Sequence, residues 1–111
     1  MKFNKKVEDV LNKQINAEFW SSFLYLSMSS WFETKGLKGF ANWMRVQYLE
    51  ETTHAIKLTD YIIARGGQVK LAALDKVPLE WKSITDSFEE TYKHECKVTE
   101  MISNCYEVAF A

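Results

Sequence analysis

The sequence predicts an all-α protein, an antiparallel helix bundle with one long crossover. Three observations predict it. Three long stretches repeat apolar residues in steps of three and four, with no proline inside any of them. A turn of a few residues joins the first two stretches, which forces them to lie antiparallel as neighbours. A longer segment holding Pro78, the sole proline, separates the second from the third. The expected helices run over about 4–33, 38–65 and 84–110, with the crossover at about 66–83, all within one domain spanning 1–111.

The first helix starts at Asn4, a good N-cap, contains no Gly or Pro, and ends before Gly36. Its inward stripe reads Val7, Leu11, Gln14, Glu18, Ser21, Tyr25, Met28 and Phe32. Glu18 is the only charge in that stripe and sits near its middle. Tyr25 lies two turns further along the same face. It reads either as a core aromatic with its hydroxyl satisfied or as a residue supporting a site at Glu18.

The turn Thr34-Lys35-Gly36-Leu37-Lys38-Gly39 leads into the second helix, which closes on Arg65-Gly66-Gly67. Its stripe of Phe40, Met44, Gln47, Ala55, Leu58 and Ile62 is interrupted by Glu51 and His54. Spaced three apart, these two side chains reach toward one point. A charged carboxylate amid a core stripe is costly unless it is paired or holds a metal. Glu-x-x-His facing inward on a bundle helix is a pattern of di-iron carboxylate sites.

Between Gly66 and Ser83 no helical period survives. Roughly seventeen extended residues span some 55 Å, more than the roughly 42 Å of a helix of about 28 residues. The crossover can therefore run the length of the bundle and start the third helix at the far end. Leu71, Leu74, Val77, Leu79 and Trp81 on this segment should pack on the bundle or on a neighbouring subunit. The third helix opens at Ser83-Ile84-Thr85-Asp86, an approximate capping box. Its expected stripe is Phe88, Thr91, Glu95, Val98, Ile102, Cys105 and Ala109, again with a single mid-helix carboxylate, Glu95. His94 points about 100° away from Glu95 and reads as a solvated or interface residue.

Bulk properties narrow the partners. Apolar residues make up 47% and charged residues 26% of 111, as in an ordinary soluble domain. A formal net charge of −1 offers no attraction to nucleic acid or to an acidic membrane. Neither a signal-peptide run nor a membrane-spanning stretch is expected. Cys96 and Cys105 stand nine residues apart on one helix, too far for a mutual disulfide and not at metal spacing, which suits a reducing, cytoplasmic setting.

Glu18, Glu51 with His54, and Glu95 each fall near the midpoint of a helix, so packing brings them level. Carboxylates at one depth repel unless protonated or held by cations. Oxygen donors with one nitrogen suit iron, and Glu51 is placed to bridge two ions. A metal-free network of hydrogen bonds between His and carboxylates is the other way to bury these groups.

The run Asn12-Lys13-Gln14-Ile15-Asn16-Ala17-Glu18-Phe19-Trp20-Ser21-Ser22-Phe23-Leu24-Tyr25 resembles the first helix of bacterial non-heme ferritins. Gly36-Leu37-Lys38-Gly39-Phe40-Ala41-Asn42-Trp43 is similar to the start of their second helix. Glu50-Glu51-Thr52-Thr53-His54 and Tyr92-Lys93-His94-Glu95 resemble their ligand motifs, and the likeness covers essentially the whole chain. The resemblance implies a ferritin-like bundle with iron as its metal and no haem. It implies a ferroxidase centre in which Glu18 and His54 hold one iron, Glu51 bridges, and Glu95 serves the second. Tyr25 would hydrogen-bond the site, and Glu50 would match a third iron position. Such proteins oxidise Fe(II) with dioxygen or peroxide and store the ferric product as mineral inside a homo-oligomer, a shell of twenty-four subunits. The departure is at the C-terminus: family members continue into a fourth long helix and a short fifth, so only three of four long helices are expected here. That pattern suits a fragment or truncated subunit, with a self-associating protein lacking a complete centre as the alternative reading. A rubrerythrin-like peroxidase fits less well, because two distant cysteines cannot supply its additional iron domain.

Overall fold

The computed structural model describes residues 4–110, with side chains described through Val108. Three helices form, α1 (Lys5–Thr34), α2 (Lys38–Ala64) and α3 (Ile84–Phe110), each within a residue or so of its expected bounds. The ends follow local chemistry. Asn4 Oδ1 accepts from the Lys6 amide at 2.9 Å and caps α1. Gly36 and Gly66 take the left-handed conformation after α1 and α2 (φ 72° and 79°). The Leu37 amide then reaches Phe32 O at 3.0 Å and the Gly67 amide Ile62 O at 2.9 Å, closing the last turn of each helix. Ser83 Oγ accepts from the Asp86 amide at 3.1 Å and opens α3.

α1 is the shared axis of a rod measuring 53 × 21 × 21 Å. Both α2 and α3 pack against it, while the backbones of α2 and α3 do not approach each other. Side-chain pairs give the directions. Ser22 meets Thr52 and Ser29 meets the Ala41 carbonyl, so α2 is antiparallel to α1. Ser21 meets His94 and Thr91 meets Met28, so α3 is antiparallel to α1 as well. The crossover makes this possible by running up the side of α1. Asn12 donates to Gln68 O at 3.0 Å and accepts from the Lys70 amide at 2.7 Å, and Ser27 donates to Pro78 O. Trp81 then packs edge-on against Trp31 with ring centroids 5.5 Å apart.

The core runs through Leu24, Tyr25, Met28, Phe32, Ala41 and Met44, all but inaccessible to water. At its far end an aromatic knot of Phe32, Phe40 and Phe88 ties the three helices, with centroids 5.4–6.0 Å apart.

Two expectations need correction. The face of α3 that meets α1 is Ser87, Thr91, His94, Val98, Met101 and Cys105, which keeps Thr91, Val98 and Cys105 of the expected stripe but turns toward Ser87, His94 and Met101. Of that stripe, Val98 is buried as expected, Ile102 is 51% exposed and Ala109 lies outside the described side chains. His94 is therefore not solvated. It is half-buried, hydrogen-bonded to Ser21 Oγ and set against the Trp20 and Tyr25 rings. The reason is that α3 packs chiefly on α1 and touches α2 only through Phe88 against Phe40 and Trp43 among the described ring contacts, so its buried arc centres on α1. In the crossover, Leu74, Val77 and Trp81 pack as expected, but Leu71 and Leu79 stand 70% and 67% exposed.

Phe32 is fully buried at the knot, and Phe32→Ala should cost about 3–5 kcal/mol of unfolding free energy. Urea melts should show a lower midpoint with an unchanged slope.

Candidate metal centre

Midway along the α1–α2 seam, the packing buries two carboxylates side by side. Glu18 of α1 is 2% exposed and Glu51 of α2 is 6% exposed. His54, one turn after Glu51, stands between them with its side chain half open to solvent. Its Nδ1 lies 3.8 Å from Glu18 Oε2 and 3.7 Å from Glu51 Oε2, too far for a hydrogen bond to either. One donor atom from each of the three falls within 4.8 Å of the others.

Polar neighbours satisfy only part of this cluster. Gln14 Nε2 donates to Glu18 Oε1 at 2.9 Å and fixes that carboxylate from one turn below. Among the described residues, Glu18 Oε2 and Glu51 Oε2 are buried and have no hydrogen-bond partner. Burial beside a second carboxyl favours a proton on the pair. Glu51 accordingly keeps its proton up to about pH 9, raised first by burial, then by a hydrogen bond to Glu18, then by the charges of Glu18, Glu95 and Glu50.

Across the core, the Tyr25 hydroxyl donates to Glu95 of α3. Burial, followed by that bond and the surrounding carboxylates, raises the Tyr25 pKa far above its ordinary range, so the phenol stays protonated. Glu95 is half-buried and outside the tight trio, but its charge is felt at Glu51. Glu50 points outward and is exposed. The six residues singled out from the sequence therefore divide into Glu18, Glu51 and His54 as one cluster, Glu95 with Tyr25 as an adjoining pair, and Glu50 at the rim.

The donor set can be tested on its own chemistry. Ligands at opposite sides of a first-row ion stand about 4 Å apart, so the trio needs little movement to close on one ion. Two orphaned carboxylate oxygens and an imidazole make a hard, oxygen-rich set with one nitrogen. That set suits iron or a similar ion and not a soft one. Within the described residues no other group of three such side chains converges. Sequence reasoning missed two contributors. Gln14 was assigned to the core stripe with no role, although its place one turn before Glu18 is a sufficient signal. His94, which braces Ser21, was masked by its adjacency to Glu95.

Comparison with known proteins gives a consistent picture. The ferritin-like domain family matches residues 8–111. A bacterial non-heme ferritin of Bacteroides fragilis is 44% identical over 108 residues, covering 97% of this chain and 68% of that protein. One from Campylobacter jejuni is 38% identical over 104 residues, covering 94% and 62%. An open pore ferritin from the archaeon Archaeoglobus fulgidus superposes with a TM-score of 0.95 at 50% identity, over 98% of this chain and 67% of that one. The chain spans about two thirds of the length of these relatives.

The buried proton sets the pH behaviour of the metal-free protein. Folded, Glu51 holds a proton up to about pH 9, whereas its ordinary value is 4.5. The native state thus binds more protons in between, and stability falls as pH rises through that window. In chelator, thermal melts should show a midpoint that drops from about pH 5 toward about pH 9. Glu51→Gln should flatten the profile and leave the protein more stable than wild type by on the order of 1 kcal/mol near about pH 8.

Proposed function

Because the chain belongs to the ferritin-like domain family, we propose that it binds Fe(II) as substrate at Glu18, Glu51, His54 and Glu95 and serves iron oxidation and storage. The observation that carries this reading is the pair of buried, donorless oxygens on Glu18 and Glu51 beside an accessible imidazole. A cation relieves their repulsion, and the higher charge of Fe(III) relieves it more than Fe(II) does. A site of this kind stabilises the oxidised product.

In the proposed reaction two Fe(II) ions each give up one electron, and dioxygen takes both electrons with two protons to become hydrogen peroxide. Peroxide itself is the alternative oxidant. Glu18 and His54 hold one ion, Glu51 bridges, and Glu95 reaches the second. The Tyr25 hydroxyl orients Glu95 and holds a proton at the edge of the site. Glu50, exposed beside Glu51, is the proposed ligand of a third ion. The half-open His54 offers Fe(II) a way in from solvent. The ferric product is stored as mineral, and no haem takes part.

We further propose a homo-oligomer, a shell of twenty-four copies for the full subunit. Leu49, Ile56 and Ile63 recur every seven residues along an exposed stripe of α2, and Phe23, Leu71 and Leu79 are exposed on α1 and the crossover. Apolar surface on this scale supports association between copies. No described helix is long and apolar enough to cross a membrane. The free thiols of Cys96 and Cys105 fit a cytoplasmic setting.

A second reading, self-association without a complete oxidation centre, is favoured by the cleft between α2 and α3. There Phe40, Phe88 and Tyr92 line an open space of about 550 Å³. Stopped-flow oxidation of Fe(II) in air separates the two, since rapid turnover supports the first and background autoxidation alone the second.

Glu51→Ala should lower the rapid oxidation rate by about 100-fold while leaving the helical circular dichroism unchanged, and an unaltered rate would reject the site. Tyr25→Phe should slow oxidation but retain Fe(II) binding in an anaerobic titration. Loss of binding would show that Tyr25 shapes the ligand set itself.

A further inference from the structure

A second concavity lies where the crossover and α3 both run along α1. It is a groove of about 750 Å³ with Lys13 and Trp20 of α1, Lys70 and Lys76 of the crossover, and His94 and Lys97 of α3 on its walls. Four lysines and one carboxylate, Asp75, line it, in a chain whose formal net charge is −1. Lys70 leans toward Glu8 at 4.0 Å. Lys13, Lys76 and Lys97 have no carboxylate within that reach among the described residues. Like charges drawn from three separate elements into one concavity raise its positive potential, and an anion would relieve their repulsion.

The groove is more than a charged surface. The Trp20 ring is braced by His94 at 5.1 Å between centroids, and His94 is itself held by Ser21, so the aromatic wall is fixed in place. Trp20 Nε1–H is buried and has no acceptor among the described residues, a donor that most folded proteins would satisfy. Lysines recognise phosphate as point charges, and an indole plane offers a stacking partner to a flat ring. The volume lies within the range of sites for small organic ligands.

We propose that this groove binds a phosphate-bearing anion with a planar ring, of the class of a nucleoside diphosphate. The phosphates lie among Lys13, Lys76 and Lys97 and the ring packs along Trp20. The groove shares no residue with the carboxylate cluster, so the proposal stands apart from the iron reading.

The test is isothermal titration of the metal-free protein in chelator at low ionic strength, with ADP, pyrophosphate and adenosine as separate probes. Without metal, nucleotide-chelated iron cannot mimic binding. ADP should bind with a dissociation constant below about 1 mM. Pyrophosphate and adenosine should each bind at least about tenfold more weakly, because each carries only half of the recognised chemistry. Both Lys76 and Lys97 are exposed, so the double variant Lys76→Gln, Lys97→Gln should fold normally and weaken ADP about tenfold. Absence of saturable ADP binding would overturn the proposal, as would a double variant that binds ADP like wild type. Pyrophosphate binding as tightly as ADP would overturn the role given to Trp20 and the ring.

Discussion

Glu18 and Glu51 are buried at the α1–α2 seam, each with one oxygen that has no hydrogen-bond partner among the described residues. Two bare charges this close in a poorly solvated place are unfavourable, so the pair either shares a proton or holds a cation. Most of the surrounding packing follows from keeping them there. Gln14 anchors one side of Glu18, and the Ser22–Thr52 hydroxyl pair at 2.9 Å pins the two helices one turn away. Ala55, one turn after Glu51 on α2, is fully buried beside it and keeps that stretch of the seam dry. Both carboxylates ride on long helices rather than loops, which holds them to one separation in the absence of any ligand.

The second constraint is that α1 must serve two neighbours at once. Glu18 and Ser22 lie on its flank toward α2, whereas Ser21 and Tyr25 turn toward α3. One helix therefore presents the trio on one side and the phenol that holds Glu95 on the other. The crossover secures this geometry by hydrogen-bonding Asn12 and Ser27, near opposite ends of α1, and so sets where α3 begins.

Much of this was legible in the sequence because each key side chain breaks a rule of its surroundings. Glu18, Glu51 and Glu95 interrupt otherwise apolar steps of three and four, and Gly36 and Gly66 mark helix ends that only a left-handed residue closes easily. The register of α3 was legible only in part. Its contact face adds Ser87 and His94 to the expected Thr91, polar residues that blur the apolar period, while Ile102 suggested a face rotated toward the open side. Hydropathy alone ranks a serine below an isoleucine. Ser87 is nonetheless fully buried, because its hydroxyl donates to the Ile84 carbonyl at 2.7 Å within its own helix.

That rotation bears on the chemistry unequally across the site. The trio depends on α1 and α2, which pack closely along their length. Glu95 depends on how α3 rolls over α1, and α3 meets α1 less extensively than α2 does, through Ser21 with His94, Tyr25 with Glu95, Thr91 with Met28, and Cys105 with Gln14 and the Val10 carbonyl. A small roll of α3 moves Glu95 toward or away from Glu51 without touching Glu18 or His54. In the proposed reaction the place of the first ion is thus set by the α1–α2 pair. The place proposed for the second is set by whatever holds α3 against the bundle, including any element that fills the open cleft lined by Phe40, Phe88 and Tyr92. The proposed binding of one ion and the proposed oxidation of a pair therefore draw on different parts of the same structure.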